Sequence, residues 1–178
     1  MGDQGASAVG RVVAVCAGPG GIPKHPVDAA ACGPLGLEGD GHRYHLHGGE
    51  ARALCLLFEA EVRALAAEDV GDADGLPPGT FGENLRVAGL DPADLRPGDR
   101  LTFRAPGGGR ADAPGDGRAD APGDADAVTC ELTDVRSPCK TLTALDPRFP
   151  DLMLGRSGFV ARVVTGGRLA PGMEVRVG

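Results

Sequence analysis

Glycine and proline punctuate this chain so densely that a bundle of long helices has little room in it: 30 Gly and 15 Pro fall among 178 residues. Glycine weakens helix and strand interiors alike, and proline removes a backbone donor, so both mark turns. Between the breaks lie short runs rich in Val and Leu. Residues 9–16, 53–57, 85–88, 100–104, 128–135, 159–165 and 173–177 read as strands. Leu101 and Phe103 share one face of their run, as do Val128, Cys130 and Leu132 of theirs. A single stretch has helical spacing: Phe58, Val62, Leu65 and Ala66, with Glu59 and Arg63 four apart on the exposed side. That helix is expected to end near Asp69. Gly166 and Gly167, between the last two strands, predict a closing hairpin. Aromatic residues are only 3% of the chain, so Val, Leu and Ala must supply the core. The expectation is one mainly β domain over residues 1–178 with a few short α-helices.

Residues 105–127 break this pattern. GRADAPGD occurs there twice in tandem, with almost nothing that could pack a core. The segment reads as a disordered, low-complexity insertion between two hairpin strands. It carries five Asp and two Arg, so the rest of the chain is less acidic than its net charge of −7 suggests. That net charge makes the chain a poor candidate for nonspecific nucleic-acid binding, which needs Lys and Arg to displace counterions. No basic amphipathic stretch suits an anionic membrane surface, and no apolar run approaches the length that spans a bilayer. Residues 1–8 lack the basic-then-apolar pattern of a signal peptide. Five cysteines at wide spacings, with no C-x-x-C, indicate free thiols in a reducing, cytoplasmic setting.

Three local signals carry chemistry. The first is Arg136-Ser137-Pro138-Cys139-Lys140. Ser137 suits a helix N-cap and Pro138 the first helical position, which would place Cys139 in the first turn of a short helix ending before Asp146-Pro147. The helix start and the two flanking cations favour a thiolate, a nucleophile and soft metal ligand. Cys16, Cys55 and Cys130 lie in strand-like runs and read as small apolar core residues.

The second signal is GLEGDGHRYHLHGG, residues 36–49. His42, His45 and His47 with Asp40 have donor atoms for a metal such as zinc, although the spacing matches no zinc template. Alternatively, Gly48 and Gly49 expose backbone N–H groups to an anion while His47 and Arg43 add side-chain donors. A solvated polar turn is the third reading. The third signal is GTFGENL, residues 79–85. Two glycines around Phe81 suggest a tight packed turn, and Glu83 and Asn84 offer an acceptor and an amide to a heterocycle edge.

In this order, GLEGDGHRYHLHGG, GTFGENL, the Pro97-Gly98-Asp99 turn, RSPCK and GRSGFVARVVTGG resemble the MOSC family, the domain at the C-terminus of molybdenum cofactor sulfurases. The resemblance spans the chain from Val9 to Val177 apart from the repeat insertion. It implies a β-barrel-like fold and binding of the molybdenum cofactor, molybdopterin, a pterin dithiolene with a phosphate tail. Members carry sulfur for that cofactor or use it to reduce N-hydroxylated compounds. The family's near-invariant Cys falls on Cys139, which would ligate molybdenum. Its HGG falls on His47, Gly48 and Gly49, and its FGEN on Phe81, Gly82, Glu83 and Asn84. Arg43, Arg52, Arg136, Lys140 and Arg162 become candidate contacts to phosphate or pterin oxygens.

The chain departs from the pattern where Lys140-Thr141 replaces the aromatic that often follows PC, and where Arg52 stands nearest the usual Lys after HGG. It has no room for a desulfurase or electron-transfer domain. Sulfur would come from a donor protein, or electrons from a redox partner. An enzyme, a sulfur carrier, and a plain binding or interaction domain without metal all remain consistent with the sequence.

Overall fold

The computed structural model describes residues 9–43, 48–68, 76–107 and 127–178. Seven strands close into a barrel: β1 (Val9–Ala17), β5 (Leu54–Phe58), β6 (Leu85–Ala88), β7 (Arg100–Arg104), β8 (Val128–Val135), β9 (Phe159–Thr165) and β11 (Glu174–Val177). Their order around the wall is β1-β6-β5-β9-β8-β7-β11, and β11 returns to β1. All these pairings are antiparallel except β5–β6, which is parallel. Closure removes the exposed edges that a sheet of this size would otherwise present. β2 (His25–Val27) extends the sheet beside the last residues of β1. A second sheet joins β3 (Ala30–Gly33), β4 (Gly36–Leu37) and β10 (Gly167–Leu169) in the order β10-β3-β4.

The seven runs expected as strands are the seven barrel strands, so the mainly β expectation holds. The closing hairpin does not form. Beyond Thr165 the chain leaves the barrel, and Gly167–Leu169 pairs with β3, while β11 pairs with β7 and β1. The Gly-Gly step serves a change of sheet rather than a tight reversal. The GRADAPGD repeats, residues 108–126 in particular, lie outside the described residues. The strands flanking them pair directly, Phe103 opposite Val128, as an insertion between hairpin strands requires.

Alternation along β5 explains how the barrel wall serves two compartments. Leu54, Leu56 and Phe58 point inward, fully buried with Leu85, Val87, Leu101, Phe103 and Val175. Each such side chain contributes about 1.5–3 kcal/mol on burial. Leu57 points outward into a second apolar cluster with Val62, Leu65, Phe81, Leu142, Phe149 and Met153. The other outward residue of β5 inside the strand is Cys55, and it is the only one of the five that is not fully covered.

The helix α1 (Glu59–Ala66) packs Val62 and Leu65 onto that second cluster. It ends at Ala66; Asp69 lies outside the described residues. Glu61 ties the layers together, accepting from Phe58 N at 3.1 Å and from Gly158 N at 2.9 Å. Burial pushes its carboxyl up, against those two backbone donors. A shorter helix, α2 (Phe149–Leu152), adds Phe149, whose ring meets Phe81 edge-on with centroids 5.2 Å apart.

Candidate functional site

Outside the β5–β9 wall, at one rim of the barrel, lies a cleft of about 290 Å³. Cys55 and Val160, a cross-strand pair on β5 and β9, form its floor. Arg52, on the 3-10 turn Glu50–Arg52 just before β5, stands at one side. Gly82 and Asn84 enter from the turn before β6, and Arg136 to Cys139 from the segment after β8. Lys24, His42 and Arg43 close the remaining side.

Cys139 sits in this cleft, but not as the sequence reading expected. Ser137 and Pro138 do not begin an α-helix. Cys139 is itself the N-cap of a 3-10 turn, Lys140–Ala144, with extended backbone at φ −87°, ψ 143°. Two threonines in the turn disfavour a regular helix, and Leu142 fixes it instead. Leu142 is fully buried in the second apolar cluster and donates its N–H to Cys139 O at 3.0 Å. Upstream, Arg136 N donates to Gly158 O at 2.9 Å, and Arg136 Nη2 donates to Phe81 O. The thiol is therefore held between two anchored points. It is half-buried and free.

The GEN segment is an internal brace. Asn84 is buried; its Oδ1 accepts from Cys55 N at 3.0 Å, and its Nδ2 donates to Cys16 O and to Asp40 Oδ2 at 2.8 Å. Glu83 is completely buried behind the cleft. Its carboxylate accepts from Gly79 N, Phe81 N and the Arg86 guanidinium. No lining atom comes from it, so it shapes the turn that carries Gly82 and Asn84. The buried Arg86 also reaches Glu59 and Pro77 O.

Asp40 is consumed in the same way. It accepts from Lys24 Nζ at 2.7 Å and from Gly18 N at 3.1 Å, besides the Asn84 amide. Its side chain is 2% exposed and that of Lys24 7%. Gly79, at φ +90°, holds Lys24 in place: their backbones exchange a hydrogen bond, and a Cβ at Gly79 would collide with Lys24 O.

The remaining expected site residues divide. Arg43, Arg52, Phe81, Gly82, Asn84, Arg136 and Cys139 come together in the cleft. Gly49 stands beside it, accepting from Arg52 N at 2.9 Å and so placing the arginine. Gly48 packs against the His42 ring. Lys140 is exposed and is not part of the lining. Arg162 shares the outer face of β9 with Val160 but lies beyond the cleft lining, paired with Glu131 at 2.8 Å. His45 and His47 lie outside the described residues. Among the described residues no group of three or more His, Cys, Asp or Glu side chains is arranged to hold a metal ion.

Two ionisable lining residues escaped the sequence reading. Lys24 lies in a Gly/Pro-rich stretch with no periodicity to mark it. Cys55 was read as core; it is out of phase with Leu54, Leu56 and Phe58 but in phase with the fully buried Leu57, so parity alone did not mark it. Burial pushes its thiol up, against the pull of Arg136, Lys24 and Arg52.

The electrostatics of the cleft oppose those of the whole chain. Its described lining holds Lys24, Arg43, Arg52 and Arg136 and no carboxylate. Arg52 Nε and Arg136 Nη1 are buried with no hydrogen-bond partner. A buried guanidinium N–H left unpaired is costly, roughly 1–3 kcal/mol, and both of these belong to residues that line the cleft.

Fold and cleft thus define a closed β-barrel domain with a thiol and a cationic pocket on its outer wall. The chain belongs to the MOSC domain family, whose model matches residues 43–176. Solved structures share the architecture. A hypothetical protein of 26% identity superimposes with a TM-score of 0.69, covering 96% of this chain and 68% of its own. The YuaD protein from Bacillus subtilis, 19% identical, gives a TM-score of 0.69 over 97% of both chains. YiiM from Geobacillus stearothermophilus, 21% identical, gives 0.68 over 95% of this chain and 75% of its own. No curated protein shows a significant sequence match to this chain. Among the described residues no helix is long and apolar enough to cross a membrane.

Proposed function

We propose that this domain binds the molybdenum cofactor in the cleft, with the Cys139 thiol as the protein's ligand to molybdenum. The observation that carries the reading is the pair of buried, unpartnered N–H groups of Arg52 and Arg136 in the same cleft as a free thiol. Arg52, Arg136 and Arg43 suit the phosphate and pterin oxygens, since guanidinium forks match such groups in pairs. Asn84 is spent on bracing, and Glu83 acts only through the turn it holds. When bound, the cofactor supplies a thiophilic, redox-active metal. The protein's part is to present one anchored sulfur, to offset the ligand's negative charge, and to keep carboxylates out of reach of it.

On this reading the domain either carries sulfur on Cys139 or supports reduction of N-hydroxylated compounds. It depends on a partner that donates sulfur or electrons, and it works in the cytosol, where five free thiols persist.

Molybdenum and pterin content of protein made in molybdenum-replete cells tests the proposal. Wild type should carry both. Cys139→Ser should lose the metal, and Arg52→Ala or Arg136→Ala should lower pterin content. Wild-type protein without metal and without pterin refutes it.

A further inference from the structure

The cleft pairs a nucleophile with an oxyanion cradle at a scale suited to a small guest. Cys139 is half-buried and reachable, while Arg52 Nε and Arg136 Nη1 have no acceptor of their own. Of the four lining cations, only Lys24 is neutralised by a buried carboxylate in a close ion pair. A compact dianion bearing a reactive sulfur at one end and oxygens at the other would satisfy both halves at once. We propose that the metal-free domain loads sulfur onto Cys139 directly from a small sulfane-sulfur oxyanion of the thiosulfate class. This rests on the reading of Cys139 as a sulfur-bearing residue and names the donor for it.

The chemistry balances without a further oxidant. The Cys139 thiol gives its proton to solvent. Its sulfur attacks the outer, sulfane sulfur of the donor, and a new S–S bond forms on Cys139. The donor's own S–S bond breaks, and sulfite leaves with the bonding pair. The sulfane sulfur moves as a neutral atom, so the thiol is oxidised to a persulfide and the donor's central sulfur is reduced to sulfite. Negative charge gathers on the departing sulfite oxygens, and the Arg52 and Arg136 N–H groups are the donors available to meet it. In the metal-free domain an oxyanion donor can pair these arginines, whereas a persulfide delivered on another protein would leave them unused.

The test uses the full chain freed of metal, incubated separately with thiosulfate and with inorganic polysulfide, which lacks an oxyanion end. Intact-mass and peptide analysis should show one added sulfur on Cys139, and not on Cys55, from either reagent. Sulfite should appear in step with loading from thiosulfate. Arg52→Lys and Arg136→Lys should each slow thiosulfate loading about tenfold, the worth of one charge-assisted hydrogen bond, and slow loading from polysulfide, whose charge sits on sulfur, by clearly less. Arg52 is the safer variant, because its 3-10 turn buries none of its residues. Loading from polysulfide but not from thiosulfate overturns the donor assignment and leaves sulfur carriage standing. Equal thiosulfate rates in wild type and both arginine variants overturn the cradle. No added sulfur from either reagent overturns the donor assignment and the carrier reading together, while molybdenum content judges cofactor binding independently.

Discussion

Asp40→Ala tests how the cleft keeps a lysine in its wall. The wild-type carboxylate sits 2.7 Å from Lys24 Nζ, with both side chains nearly excluded from water, and it accepts from Gly18 N and Asn84 Nδ2 as well. Removing it leaves a buried ammonium without its partner, which costs about 3–5 kcal/mol. The two orphaned donors add to this unless water reaches them from the cleft. For a chain of this size that corresponds to a Tm drop of about 6–20 °C. Adding Lys24→Met removes the stranded charge but not the orphaned donors, so the double variant should regain roughly 3 kcal/mol over Asp40→Ala alone. Lys24→Met by itself should cost less than Asp40→Ala, because its carboxylate keeps two backbone and amide donors. Urea unfolding of the four proteins measures the cycle, read as midpoint shifts at constant slope. A double variant no more stable than Asp40→Ala would show that the ammonium is not the costly group, and the argument from burial would fail.

Two other predictions are narrower. Gly158, at φ +74°, packs so closely under β5 that a Cβ would overlap Leu56 O. Gly158→Ala should therefore cost the left-handed strain of about 1–2 kcal/mol plus displacement of the strand, and denaturant midpoints should fall accordingly. In native protein at neutral pH, N-ethylmaleimide should label Cys139 first, because burial pushes the thiols of Cys16 and Cys32 up to about 11 and that of Cys130 to about 12. Peptide mapping reads the order, and rapid labelling of Cys130 before unfolding would contradict the packed barrel.

The barrel was legible in the sequence because each of its strands alternates or runs apolar between breakers. The small second sheet was not. β3 and β4 are four and two residues long and set among Gly and Pro, too short for a period to show. The 3-10 turn after Cys139 was misread for a different reason. Ser137-Pro138 has the chemistry of a helix start, but Leu142 is drawn into a core that no local rule reveals. Glu83 shows the same limit: its acceptor chemistry was apparent, but the buried Arg86 that claims it lies in the next strand. Cys55 shows it again: it shares its parity along β5 with the fully buried Leu57, and an unbroken apolar run gives no sign of which of the two opens to a cleft.

That parity also explains why a cationic cleft persists in a chain of net charge −7. Inward residues of β5 hold the barrel, so its outward face is free to build a separate compartment with Leu57 at the packed end and Cys55 at the open end. Cations must enter that compartment without collapsing onto nearby carboxylates. The structure meets this by placing acids one layer behind the lining. Asp40 takes Lys24, and Glu83 takes Arg86, which is itself outside the cleft. Arg52 and Arg136 are left with buried N–H groups that no protein atom satisfies. Stability alone would favour pairing them, so on the proposed reading an anion that pairs them should raise the stability of the whole barrel as it binds.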